Sequence, residues 1–327
     1  MTVNDKKSIS IVVPVYNEEK GIASFHNSLI KVLNKIDIDF EIIYVDDGSS
    51  DNSLSIIKQI NDNNIKVVVL SRNFGKEIAL SAGVALSHNQ GIIMLDGDGQ
   101  HPVDLIPEFI HKWRSGADVV IGIRRNSKAQ SFMGKINSII FYKFFNFISS
   151  QKIIIGSTDF RLIDRCVADE FNQLGEQNRM TRYLIDWLGF ERQFVEFDAN
   201  EREHGEATYS TRKLIDLAIN LIVSSSPKPL YLFSYLGVLI CFLSSLLGVS
   251  LIIEQLILGD PLNWKFTGTA MLGILVIFLV GIVLMSQGII SLYISRIHDQ
   301  SKERPLYVID IRKSVGFNNQ KILKHKS

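Results

Sequence analysis

Asp96-Gly97-Asp98-Gly99-Gln100-His101 follows directly on the apolar run Ile92-Ile93-Met94-Leu95. An apolar run of this length reads as a buried strand. Two carboxylates with one glycine between them then stand on the loop just past its end. In open α/β sheets, ligands bind outside the carboxyl ends of the strands. Two hard oxygen donors at that place can hold a divalent cation, and the cation can hold a diphosphate. Asp and Gly are also ordinary turn residues. The choice between a metal site and a turn falls to the rest of the chain.

Working outward, residues 8–125 alternate strand-like and helix-like pieces. Residues 10–14 form a β-branched run ending at Pro14. Residues 18–35 carry Ile22, Phe25, Leu29, Val32 and Leu33 at helical spacing. Strands are expected at 40–45, 67–70, 92–95 and 119–122, and helices at 53–60, 77–86 and 103–113. This order argues for a mostly parallel sheet with helices on both faces. There is no GxGxxG and no P-loop lysine motif, which argues against a usual dinucleotide site and a Walker-type ATPase.

The bulk numbers exclude other classes. The chain has 327 residues, more than one average domain. A formal net charge of +1 does not point to a nucleic-acid partner. Cys166 and Cys241 are far apart, and Cys241 lies in an apolar span, so neither a disulfide nor a zinc site is expected. Residues 1–8 are polar and 9–13 are too short for a signal peptide's apolar core. The N-terminal part is therefore expected on the cytoplasmic side.

The last third changes character. Residues 230–253 and 266–295 carry no charge, and each stretch is long enough to cross a bilayer as a helix. Arg212, Lys213 and Lys228 precede the first stretch, and Arg296, Lys302 and Arg304 follow the second. The connecting loop has one lysine against Glu254 and Asp260. This distribution places both termini on the cytoplasmic side, with a short hairpin loop outside. Gly273, Gly281 and Gly288 in the second stretch would permit close helix contact, so a homo-oligomer stays open.

Other strand ends carry polar clusters too: Pro14-Val15-Tyr16-Asn17-Glu18-Glu19 and Asp46-Asp47-Gly48-Ser49-Ser50-Asp51. The loop after the third strand, Ser71-Arg72-Asn73-Phe74-Gly75-Lys76, adds two cations. Carboxylates, a cation pair and glycines converging on one crevice suit a nucleotide plus metal. In this order and spacing, I-V-V-P-V-Y-N-E, V-D-D-G-S-S-D, R-N-F-G-K and L-D-G-D-G-Q-H resemble a family 2 glycosyltransferase of the GT-A fold. With Asp159-Phe160-Arg161-Leu162 and the two apolar stretches, the whole chain resembles polyprenyl-phosphate glycosyltransferases. These are relatives of dolichol-phosphate mannose synthase and of the bacterial bactoprenol glucosyltransferases.

The resemblance implies roles at matching positions. Pro14, Tyr16, Glu18 and Asp46 would line the nucleoside pocket, and Arg72 and Lys76 would approach the nucleotide. Asp98 would be the direct metal ligand, and Asp96 would contact the ribose or the metal. Gln100 and His101 would face the sugar or diphosphate. Asp47 and Asp51 are open to a plainer reading as helix caps. Arg202 would clamp the diphosphate and Ser210 would add a hydroxyl. Ala207 and Thr208 stand where this loop of the family usually has Ser and Lys, so a second cation is missing there. Asp159 is the matched candidate for general base, and the alternative is a salt bridge to Arg161 or Arg165. Arg124, Arg125 as its alternative, and Lys135 would bind the acceptor phosphate, where arginine's planar fork suits phosphate.

The domain organisation expected is a cytoplasmic GT-A domain over 1–210, with 128–152 an amphipathic interfacial segment. A juxtamembrane amphipathic helix (211–229), a two-helix transmembrane hairpin (230–297) and a basic cytoplasmic tail (298–327) would follow. Within the tail, residues 306–311 would form a strand or a surface-bound arm. The resemblance implies transfer of a hexose, glucose from UDP-glucose before mannose from GDP-mannose, to undecaprenyl phosphate at the cytoplasmic face of a bacterial inner membrane. Inversion at the anomeric carbon and a Mg²⁺ or Mn²⁺ cofactor come with it. So does a functional link to a lipid-sugar flippase and a downstream glycosyltransferase in cell-surface glycan modification. A processive polysaccharide synthase of the same fold would need a QxxRW-type segment, which is absent from the chain.

Overall fold

The computed structural model describes residues 8–60, 62–125, 154, 156–177, 179–198, 268–302 and 304–317, with isolated positions between 235 and 246. The order is β1 (Ser8–Val15), α1 (Ile22–Leu33), β2 (Asp39–Asp46), α2 (Ser53–Gln59), β3 (Ile65–Val69), α3 (Lys76–Leu86) and β4 (Gly91–Met94). There follow α4 (Ile106–Arg114), β5 (Val119–Arg124), β6 (Ser157–Asp164), α5 (Arg165–Gln173), α6 (Thr181–Trp187), β7 (Arg192–Phe197) and α7 (Gly268–Ser301).

The strands form one sheet in the order β3-β2-β1-β4-β6-β5-β7. β1, β2, β3 and β4 are parallel, and β5 is parallel to β7. β6 enters between β4 and β5 and runs antiparallel to both. The mostly parallel sheet expected from the sequence is present, with one reversed strand inside it.

Side chains alternate across the pleat, so each strand supplies two apolar layers. Ile11 and Val13 of β1, Ile42 and Tyr44 of β2, and Ile93 of β4 face one layer, closed by α1 and α4 through Phe25, Leu29, Phe109 and Trp113. Val12, Ile43, Val68, Ile92 and Met94 face the other, closed by α3, α5 and α6 through Leu80, Val84, Phe171 and Leu184. Burial on both faces explains why these strands read as continuous apolar runs rather than as alternating ones. α3 lies unusually close to the sheet: a Cβ on Gly83 would come within 2.2 Å of Val12 Cγ1. The small residues of 79–83 are what that approach requires.

The chain divides into two compact units, and α7 belongs to the second. By itself α7 spans about 50 Å at 1.5 Å per residue. Its window Phe278–Ser295 has a mean hydropathy of 1.9. Among the described residues it is the one helix long and apolar enough to cross a membrane. The segment 304–317, which follows α7 in sequence, belongs to the first unit with the sheet. Val315 bridges Val67, and Ile309 bridges Leu70, both antiparallel. Of the two readings open for residues 306–311, a strand or a surface-bound arm, the structure has an edge segment paired by isolated bridges. The stretches 128–152, 211–229 and 254–265 lie outside the described residues, as does most of 230–253.

Candidate active site

Parallel strands end on one edge, so their terminal loops share it. Val15 pairs with Asp46, and Val12 pairs with Met94. β6 is antiparallel, so its start, not its end, arrives at this edge. Met94 pairs with Arg161. Two residues after Met94 and two before Arg161, Asp96 and Asp159 come to the same end of the sheet, where Lys76 contacts both.

The loops after β1, β2 and β3 are stitched together by neutral hydrogen bonds and fixed carboxylates. Asn17, at φ 55 the one non-glycine described residue with positive φ, accepts the Ser50 N–H with its side chain at 2.9 Å. Its own N–H donates to Ser49 Oγ, and the Glu18 N–H donates to Ser53 Oγ at 2.7 Å. Asp51 accepts the N–H groups of Glu19 and Ser53. Asp47 accepts the Phe74 N–H at 2.7 Å and the Gly75 N–H at 2.8 Å. Asp47 therefore does not cap the next helix; it ties the β2 end to the loop before α3. Gly48 makes room for that loop, since a Cβ there would sit 2.6 Å from the Arg72 carbonyl carbon. Asp46 is buried and accepts the Ser49 N–H at 3.3 Å, and burial raises its pKa.

At the β4–β6 edge, charge meets charge. Lys76 Nζ lies 2.7 and 2.8 Å from the two oxygens of Asp96 and 2.7 Å from Asp159 Oδ2. Arg182 Nε lies 3.4 Å from Asp159 Oδ1. Burial pushes the Asp159 carboxyl up, but Lys76 and then Arg182 overrule it and bring its pKa down to about 2. Burial opposes the Lys76 charge, yet Asp96 and Asp159 hold its pKa above the usual lysine value. The salt bridge considered for Asp159 thus exists with different partners. Arg161 pairs instead with Asp186 at 2.8 Å, and Arg165 with Asp169 at 3.6 Å.

His101 is more than a turn residue. Its ring is buried and stacks on Phe160, and Nδ1 accepts the Asp96 N–H at 3.0 Å. An accepting Nδ1 places the ring proton on Nε2 and leaves the imidazole neutral. Burial lowers its pKa in the same sense. A cleft of about 160 Å³ beside this loop brings Glu18, Asp98 and His101 together. Gln100 is half-buried, and its N–H donates to Asp98 Oδ1 at 3.0 Å.

Among the described residues, no group of three His, Cys, Asp or Glu side chains is arranged to hold a metal by itself. Asp96 and Asp98 are half-buried hard oxygen donors, and one or two such carboxylates commonly hold a divalent cation completed by water and phosphate oxygens; here Lys76 contacts both oxygens of Asp96.

Other expected site residues are placed as follows. Pro14 is the penultimate residue of β1, and Tyr16, just past the strand end, is 47% exposed. Arg72 lies over the Phe74 ring at 4.0 Å and donates to the Asn73 carbonyl, so its guanidinium rests on its own loop rather than on the carboxylates. Arg124 ends β5 and is exposed. Arg125 is drawn to Glu196 at 3.1 Å and Asp198 at 4.0 Å. Lys135, Arg202 and Ser210 lie outside the described residues.

Arg182 escaped the sequence reading. It starts a short helix with no motif of its own, and only the fold brings it to Asp159. The helix is braced from three sides. The Thr181 N–H donates to Glu77 Oε2 at 2.8 Å, the Arg182 carbonyl accepts from Arg161, and Arg161, fully buried, pairs with Asp186.

Comparison with known proteins gives the family of the chain. Residues 10–171 match the family described as Glycosyl transferase family 2. YkcC of Bacillus subtilis, an uncharacterized glycosyltransferase, is 36% identical over 96% of both chains. A glycosyltransferase of Synechocystis is 38% identical, over 92% of this chain and 94% of its own. The bactoprenol glucosyl transferase of Shigella phage SfV is 36% identical, over 92% of this chain and 97% of its own. A strand edge set with paired carboxylates, on a chain that matches such relatives almost end to end, has one reading: the protein is a glycosyltransferase and belongs to glycosyltransferase family 2.

Proposed function

We propose that the protein transfers a glucosyl unit from UDP-glucose to a polyprenyl phosphate at the cytoplasmic face of a membrane, with inversion. The observation that carries this reading is the meeting of Asp96 and Asp159 around Lys76. It joins the diphosphate side of the crevice to the side from which an acceptor would attack. Relatives named bactoprenol glucosyl transferase, matched over more than nine-tenths of this chain, favour glucose and a lipid phosphate.

A divalent cation, Mg²⁺ or Mn²⁺, held by Asp96 and Asp98 would neutralise negative charge on the donor diphosphate. The chain's own groups do the rest. Pro14, Tyr16, Glu18 and Asp46 form the nucleoside wall, and Gln100 stands beside the carboxylate loop. Lys76 is a fixed positive charge at the point where the leaving diphosphate develops charge. Asp159, with a pKa of about 2, is a weak proton acceptor. A phosphate monoester has its second pKa near ~6 and is largely dianionic at neutral pH. The acceptor therefore needs no base, and Asp159 serves to orient. Arg124, Lys135, Arg202 and Ser210 are proposed to complete the acceptor and diphosphate contacts.

The topology supports a two-span hairpin. The sheet-bearing stretches 8–125 and 156–198 and the segment 304–317 belong to one compact unit, so a membrane crossed between 198 and 304 is crossed an even number of times. If α7 is one crossing, the uncharged stretch 230–253 is the natural second. Membranes incubated with undecaprenyl phosphate and a radiolabelled donor panel test the proposal. UDP-glucose should give a chloroform-extractable product that needs Mg²⁺ or Mn²⁺. Label in a water-soluble polymer, or transfer from GDP-mannose alone, would overturn it.

A further inference from the structure

The sheet has one edge at β3, and an open edge strand presents a row of unpaired N–H and C=O groups. Here residues from the far end of the chain occupy that row. The Asp310 N–H donates to the Val69 carbonyl at 2.8 Å, and the Ser71 N–H donates to the Val308 carbonyl at 2.8 Å. Val67 and Val315 exchange both bonds, at 2.8 and 2.9 Å, and Ser314 Oγ accepts the Val69 N–H at 3.0 Å. Ile309 is buried in the layer that contains Leu70, Ala79 and Leu80, and Phe74 packs against that same layer.

These contacts end at a functional place. Ser71 immediately precedes Arg72, and the loop 71–75 runs into Lys76 at the start of α3. Asp47 holds the other side of that loop through Phe74 and Gly75. Lys76 then reaches Asp96 and Asp159. The loop is thus pinned at its start by Val308 and at its end by Asp47. We infer that the segment 304–317 is a positioning element of the donor site, holding the loop 71–76 so that Lys76 stands between the two carboxylates. Lys313 is also among the charges that act on Asp46 at the nucleoside wall. The segment follows α7 in sequence, so the donor site is complete only after α7 has been made.

The inference rests on the reading of loop 71–76 as donor-facing, and its test separates the two. Full-length Ile309→Asp and Asp310→Pro place a charge in the apolar layer and remove the N–H to Val69, respectively. Amide exchange across residues 66–76 needs no turnover and should accelerate about tenfold or more in both variants. The KM for the nucleotide sugar should rise about tenfold, while that for the lipid acceptor stays within about twofold. Ile309→Val should behave as the parent, and a synthetic peptide of residues 304–317 added in trans should restore part of the donor KM. Unchanged exchange and an unchanged donor KM in both variants would overturn the inference. So would a loss of kcat with equal changes in both KM values, which marks general destabilisation. Faster exchange with a donor KM that stays put would keep the docking and refute the donor-facing reading of the loop.

Discussion

Two halves of one strand edge are built from different chemistry. Around the ends of β1, β2 and β3, backbone N–H groups are met by Asn17, Ser49, Asp51, Ser53 and Asp47, which tie the loops to one another. Between β4 and β6 the same edge is held by Lys76, Asp96, Asp159 and Arg182, whose partners are one another. Backbone bonds shape a cradle for a ligand that must be recognised. Ion pairs keep charges in place that a charged ligand can take over without the cost of bringing them out of water. The difference separates what recognises the donor from what handles the charge of the reaction.

The largest effect should come from the brace behind the charged half. Asp186→Ala leaves Arg161 buried without its carboxylate, which costs about 3–5 kcal/mol, so denaturant or thermal unfolding should show a marginal protein. A loss below about 1 kcal/mol would mean that Arg161 does not depend on Asp186.

Next, Asp159→Asn should lower the single-turnover rate about 10²–10³-fold, the scale of losing a preorganised electrostatic contact. The shape of the pH–rate profile should not change between pH 6 and 9. The folded-state pKa of about 2 lies below the unfolded value, so the stability from this pairing is full above about pH 4 and is lost only as pH falls toward 2. A limb between pH 5 and 8 that vanishes with Asp159→Asn would restore it as a base.

On the neutral half, Asp47→Ala removes the acceptor of two backbone N–H groups, worth about 1.5–3 kcal/mol. It should raise the donor KM with little change in kcat, whereas changes at Lys76 should raise the donor KM and lower kcat as well. An equal effect on both constants at both sites would erase the distinction between the halves. The smallest effect is expected at Arg125→Ala. Its pairs with Glu196 and Asp198 are exposed, and such pairs are worth about 0–1 kcal/mol. If Arg125 nonetheless controls the acceptor KM, the acceptor phosphate lies on that side of the sheet.

The neutral half was the more legible in sequence. Asp47, Gly48 and Ser49 follow an apolar strand directly, so their place past its end follows from local pattern alone. Asp96 and Asp98 were found by the same rule. The charged half was legible only in part, because its members come from β4, β6, α3 and α6. Lys76 reads as a loop cation until β6 turns back beside β4. Arg161 reads as a candidate partner for Asp159 until the fold brings Asp186, 25 residues further on in α6, within 2.8 Å of it. Arg182 carried no local signal at all.

Periodicity and strand-end motifs by themselves determined the strand–helix order over residues 8–125, the carboxylate pair, the family resemblance and the two uncharged stretches. These are local properties, since burial on both faces makes a strand apolar throughout and a bilayer needs a long uncharged helix. Only the tertiary structure decided that a reversed strand carries Asp159 to Asp96, that Lys76 and Arg182 keep it ionised, and that residues 304–317 close the β3 edge. Each depends on chain segments tens to hundreds of residues apart, and nothing in the local pattern specifies which distant segment will satisfy an open strand edge or a buried charge.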